Sequence, residues 1–252
     1  MATKSIYELE EELHNKLRDT YPESERDKIV DDGLCWAAIS NLQPDKSNKN
    51  WLECLWVESS RRVLFLLKEP NGNDGDDYKD WDWSVGSGTF GNVLAYWLDG
   101  LMNTTADYCP SYDDISCRKD IFKKYPFAIV NSKKISGGSS SNWPEIWEYA
   151  KRDKQFLRTQ IRDILKPNII VCGGSNDSAD EKRKVISIAL EIIFSDIKED
   201  FISINNWCQF NPKENILLID SYHPSCIMNE RRKVEELIEA FHEFIVKTDY
   251  RN

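Results

Sequence analysis

The chain has 252 residues, enough for one large apolar core, and a 40% hydrophobic fraction with nine Trp, ten Tyr and ten Phe excludes disorder as its overall state. Its formal charge of −10 repels phosphate at long range, so any nucleic-acid contact requires a local basic patch. Seven scattered cysteines without a CxxC spacing exclude a zinc ribbon or a sequence-local iron–sulfur motif, and no stretch approaches the ~20 apolar residues of a membrane span, so a reduced, cytoplasmic protein is expected.

Ser5 with Glu8 forms a capping-box pattern, and Leu9, Leu13 and Leu17 then share one helical stripe, which predicts an amphipathic helix at the start. Residues 22 to 50 are polar and irregular around Trp36, and 51 to 61 carry Trp51, Leu52, Leu55, Trp56 and Val57 with mixed period. Residues 1–60 are therefore expected to be a helical extension packed on a main domain at 61–252. Four short, uninterrupted apolar runs follow: Val63–Leu67, Phe127–Val130, Asn168–Cys172 and Ile216–Ile219. Such runs read as strands buried on both faces, the mark of a parallel sheet.

Between them lie helical patterns. Phe90–Leu101 aligns Leu94, Trp97, Leu98 and Leu101, and 144–165 aligns Ile146, Phe156, Leu157, Ile161, Ile164 and Leu165, with Asn142, Pro144 and Glu145 as a start signal. Ser178 with Glu181 starts another carrying Val185, Ile188, Ile192 and Ile193, and the last contains Val234, Leu237, Ile238, Phe241 and Phe244. Strands alternating with helices predict an α/β protein, a three-layer α/β/α sandwich with right-handed crossovers. The Asp- and Gly-rich segment 71–82 and the Gly- and Ser-rich segment 136–141 follow strand ends, where loops carry function.

The chemistry gathers at three strand ends. Glu69, one residue past the first run and held by Pro70, is placed to orient water, or is a solvated turn residue. Asn131 offers an acceptor and two donors that can read a nucleobase edge, or it caps its strand. His223, before Pro224 and Ser225, is placed to donate to a leaving group that becomes anionic, or it is structural. Cys172-Gly173-Gly174-Ser175 is neither a P-loop nor GxGxxG, and GxSxG is absent. Trp81, Trp83 and Trp143 stand outside the strands, as stacking surfaces or core filling.

In this order the loops resemble the uracil-DNA glycosylase superfamily. Leu66-Leu67-Lys68-Glu69-Pro70-Asn71-Gly72 is similar to its first motif, Trp83-Ser84-Val85 with Asn92 to its aromatic-Ser-Val segment, Ile129-Val130-Asn131 to its uracil-reading strand, and His223-Pro224-Ser225 to its closing motif. The similarity runs from about residue 63 to 240. Glu69 replaces the usual Asp or Asn, and Cys226 stands where a second Pro is common.

The resemblance implies a central four-stranded, mostly parallel sheet in the order 2-1-3-4. It implies Glu69 and His223 as catalytic residues and Asn131, Trp83, Pro70, Asn71 and Gly72 around the base. Ser225, Ile227, Lys133, Lys134 and Ser139 would contact DNA, with Ile227 as an apolar wedge and Lys133, Lys134, Arg231, Arg232 and Lys233 as a phosphate-binding rim. The implied activity is hydrolysis of the N-glycosidic bond of uracil or a related base flipped from single- or double-stranded DNA, by a monomer without cofactor, metal or membrane, working at the nucleoid. A nucleobase-binding protein without the chemistry is the alternative. An acidic interaction role through Asp74-Gly75-Asp76-Asp77 is a third.

Overall fold

The structure, a computed structural model, describes residues 4–35, 46–70, 83, 88–115, 121–122, 124–137, 141–174, 180–248 and 250, with the backbone alone for 46–51 and 182. Its sheet is built outward from β2 (Val63–Leu67), five apolar residues all buried. A strand with no polar face must be covered on both sides, and β2 lies in the interior. It pairs in parallel with β3 (Phe127–Asn131), Leu67 opposite Asn131, and with β4 (Ile169–Gly174), Leu67 opposite Gly173. Strand β4 pairs in parallel with β7 (Ile216–Tyr222).

Three more strands close the edges. β1 (Gly33–Cys35) adds antiparallel to β3, β6 (Cys208–Asn211) antiparallel to β7, and β5 (Ile202–Ser203) antiparallel to β6. The sheet is therefore α/β, mixed and seven-stranded, in the order β1-β3-β2-β4-β7-β6-β5, and the expected four-stranded sheet is corrected. The four runs legible as apolar stretches are the parallel interior. The edge strands, two to four residues long, are too short to carry a periodic signal.

Alternate strand residues feed two apolar layers. Phe65, Leu67, Phe127, Ile129, Leu217 and Ile219 pack with α4 (Gly88–Asn103) and the C-terminal helix Glu230–Thr248. Leu64, Leu66, Ala128, Val130, Ile170 and Leu218 pack on the other side with α1 (Ile6–Thr20), α3 (Lys46–Glu58) and α5 (Trp143–Arg152). Between α1 and β1 lies the short helix α2 (Glu23–Arg26). Among the described residues no helix is long and apolar enough to cross a membrane.

Several helices differ from their expected outlines. The span 144–165 breaks at Asp153 into α5, α6 (Lys154–Arg158) and a π-turn at Thr159–Leu165. The Asp153 carboxylate accepts from the Tyr21 hydroxyl at 2.6 Å, which ties the break to the end of α1. The helix expected from Ser178, which is outside the described residues, starts instead at α7 (Val185–Ile188) and runs into a π-turn at Ala189–Ile193. The C-terminal helix is α8.

The capping box of α1 forms, Ser5 N–H donating to Glu8 Oε2 at 2.8 Å and Glu8 N–H to Ser5 Oγ at 3.2 Å. Its buried face, however, is Ile6, Tyr7, Glu10, His14 and Leu17, while Leu9 and Leu13 stay partly exposed. The rotation points Glu10 and His14 at polar partners in the core. Residues 1–60 thus contribute a strand and a buried polar cluster besides helices.

Candidate active site at the strand ends

Parallel strands deliver their carboxyl ends to one edge of the sheet, where open α/β folds bind ligands. Backbone pairing continues past the strands: Ser132 N–H donates to Leu67 O at 2.8 Å, Lys133 N–H to Lys68 O at 3.0 Å and Gly137 N–H to Pro70 O at 3.0 Å. The segments after β2 and β3 are laced together as one wall. Across β4, Gly173 admits the closing loop, because a Cβ there would lie 2.6 Å from Leu67 Cδ2 and 3.4 Å from Pro224 Cδ.

Glu69 sits in that wall with its side chain only 8% exposed, and Lys133 Nζ lies 3.1 Å from Glu69 Oε2 and 2.6 Å from Glu145 Oε1. Burial lowers the Lys133 pKa, but Glu145 and Glu69 outweigh it and hold the ammonium above its ordinary value. Gly137 packs so closely on the Glu69 carboxyl that a Cβ would stand 2.1 Å from Cδ. The carboxylate is held in place from two sides.

Asn131, fully buried, donates to Asp32 Oδ2 with both its backbone N–H (2.7 Å) and its amide Nδ2 (3.2 Å). Its Oδ1 is buried and has no hydrogen-bond partner among the described residues. Asp32 also accepts from Lys134 Nζ at 2.6 Å and from Gln160 Nε2 at 3.2 Å, and Gln160 Nε2 stands 3.2 Å from Glu10 Oε1. Burial raises the Asp32 pKa, yet Lys134 and His14 reverse this and hold the carboxyl well below its usual range. Burial lowers the Lys134 pKa, with Asp32 opposing. Lys134 Nζ also donates to Gln160 Oε1 at 3.1 Å.

His223 leads the loop after β7. Its Nδ1 accepts from Ser225 N–H at 3.2 Å, so the neutral ring carries its proton on Nε2. Burial first, then the charges of Lys68 and Lys233, push the imidazole pKa down to about 3. Lys233 Nζ, buried, donates to Pro224 O at 2.8 Å and Cys226 O at 3.0 Å and ties the loop to α8. A neutral donor at a fixed strand end can stabilise an oxyanion without giving up its proton.

Trp83 is 1% exposed and packs on Phe90, Phe122 and Phe127 with ring centroids 6.1, 6.4 and 5.9 Å away. The expected stacking face is therefore corrected, since Trp83 is buried in the core. Phe90, whose ring lies 6.1 Å from that of His223, is an aromatic that reaches the site among the described residues. Its sequence context marks it only as the start of a helix. Asp32 was missed as well, because nothing in the irregular stretch around it marks a partner for a strand-end Asn.

The phosphate-binding rim is also corrected. Lys133 and Lys134 are 4% and 0% exposed and ion-paired, and Lys233 is buried. Arg231 and Arg232 are exposed but bridged to Asp113, Glu235 and Glu236. Ser225 and Ile227 are exposed in the closing loop, Ile227 fully, and Pro70 is buried. Asn71, Gly72 and Ser139 lie outside the described residues.

Beside Lys68 opens a cleft of about 800 Å³ lined by Trp143, Trp147, Lys151, Glu148 and Arg183. Lys68 Nζ stands 5.8 Å from the Trp143 ring and Lys151 Nζ 5.6 Å from the Trp147 ring. Among the described residues no group of three or more His, Cys, Asp or Glu is placed to hold a metal ion. No protein-family model, curated protein or solved structure matches the chain.

Proposed function

We propose that this chain is a uracil-DNA glycosylase-like hydrolase that takes uracil or a related modified base, flipped out of DNA, and cleaves its N-glycosidic bond. The observation that carries this reading is His223 at the carboxyl end of β7, whose Nδ1 accepts from the Ser225 N–H and so leaves Nε2–H as the donor a leaving base would meet. The parallel interior, in which β2 lies between β3 and β4 and β7 follows, supports a glycosylase-like arrangement of the motif-bearing strands. In this mechanism Asn131 binds the edge of the flipped base and Phe90 flanks the pocket. As the bond lengthens, negative charge gathers on the base and His223 Nε2–H stabilises it. Glu69 positions water and offsets the positive sugar. Ile227 fills the place the base leaves, the cleft between Lys68 and Trp147 takes flanking nucleotides, and the work is done on cytoplasmic DNA.

Release of free base from uracil-containing single- and double-stranded DNA tests the reading. Losing one preorganised donor costs ~10²- to 10³-fold, so His223→Ala is expected to fall by that factor while remaining folded. No release by the wild-type chain from either substrate overturns it. The Glu69–Lys133 ion pair favours a second reading, a base-binding protein without hydrolysis, because it engages the carboxylate that would hold water. Thermal stabilisation by free uracil with no released product would select that reading.

A further inference from the structure

The amide of Asn131 is turned by a carboxylate from a part of the chain outside the glycosylase resemblance. We infer that Asp32 is a positioning residue that locks the Asn131 carboxamide with its nitrogen on the carboxylate and its buried oxygen turned away from it, so that a base reaching Asn131 must present an N–H donor beside a carbonyl and the reversed edge is refused. This rests on the reading of Asn131 as the base-binding residue.

A carboxylate has no proton to donate, so an amide beside it must offer nitrogen. Asp32 Oδ2 receives both Nδ2 and the backbone N–H of Asn131, which pins the residue at two points. Lys134 Nζ on the other oxygen keeps Asp32 an acceptor, and Gln160 Nε2 donates to the Asp32 carbonyl at 2.9 Å as well as to its carboxylate. Flipping the Asn131 amide would set its oxygen against a carboxylate oxygen. The buried, unpartnered Oδ1 is then the acceptor left for a ligand, with one Nδ2 proton beside it. An imide edge such as that of uracil supplies N–H to the oxygen and a carbonyl to the amide proton. An amidine edge such as that of cytosine supplies the opposite pattern, and leaves buried polar groups opposed.

Two double variants separate position from charge. In Asp32→Asn/Lys134→Met, the Asn oxygen still accepts from Asn131, and no buried charge is left unpaired. In Asp32→Leu/Lys134→Met, that acceptor is gone. The first readout is solvent exchange of the Asn131 side-chain amide by NMR, and the second is the ratio of dissociation constants for free uracil and free cytosine. The wild type and the Asn variant are expected to show a protected amide and the same preference for uracil. The Leu variant is expected to exchange about tenfold faster and to lose about tenfold in the ratio. Equal exchange and an equal ratio in the Leu variant overturn the inference. Should that variant not fold, a wild-type Asn131 amide exchanging as fast as an exposed one overturns it, and a protected amide lost on Asp32→Ser/Lys134→Met upholds it. If the wild type binds neither base, the proposed function fails while amide exchange still decides whether Asp32 positions Asn131.

Discussion

At the residue scale, His223 and Asp220 titrate in opposite senses across one pH range. His223 falls from an ordinary 6.5 to about 3, so between those values the unfolded chain binds more protons and stability drops as pH falls. Asp220 is pushed from 3.8 up to about 6 by burial, with Lys184 opposing and Glu181 adding, so the folded chain binds more protons there and stability grows as pH falls. The two slopes, each at most about 1.4 kcal/mol per pH unit, offset one another between about pH 4 and 6. His223→Gln is therefore expected to gain stability on acidification relative to wild type over that window, and Asp220→Asn to lose it, both read by denaturant unfolding across pH. The positions of Glu69, Asn131 and His223 at strand ends were legible because continuous apolar runs stop there. Their partners were not, since Asp32, Lys133 and Gly137 reach them only through pairing between distant segments.

At the element scale, the glycines ending β4 set how closely the neighbouring pieces approach. A Cβ on Gly173 meets the end of the Leu67 side chain, which can shift, whereas on Gly174 it lies 2.9 Å from the backbone nitrogen of Val185 and 3.0 Å from Val185 Cγ2. Gly174→Ala is expected to cost about 1–3 kcal/mol and Gly173→Ala less, by denaturant unfolding; the reverse order would refute the account. Sequence pattern ends the strand at Cys172, whereas both glycines continue it to Gly174. The helix start near 143 is legible from Asn142 and Pro144, the one at Val185 falls seven residues past the signal at Ser178, and the break at Asp153 is hidden because the Tyr21 hydroxyl that bonds its carboxylate comes from beyond the end of α1.

At the scale of the whole molecule, the boundary drawn at residue 60 cuts through one buried system. Removing residues 1–60 takes β1 off β3, strips Asp32 from Lys134, and removes Trp56, whose Nε1–H donates to Leu165 O at 2.8 Å. An uncompensated buried ammonium alone costs about 3–5 kcal/mol. Residues 61–252 produced alone are expected to lack cooperative thermal unfolding, and a sharp transition near that of the full chain would contradict this. The apolar runs announced the parallel interior; a three-residue strand in a polar stretch announced nothing.

That edge strand also makes the thiols a graded record of how the molecule opens. Cys35 is buried in β1, Cys172 in β4 and Cys208 in β6, whereas Cys54 is exposed. Burial raises the Cys172 and Cys208 thiols above their ordinary pKa, so neither reacts until water reaches it. If β1 detaches before the parallel interior parts, an alkylating reagent under native conditions will mark Cys54 at once, Cys35 next, and Cys172 last. The order of labelling would read out the hierarchy of the sheet from its rim to its centre.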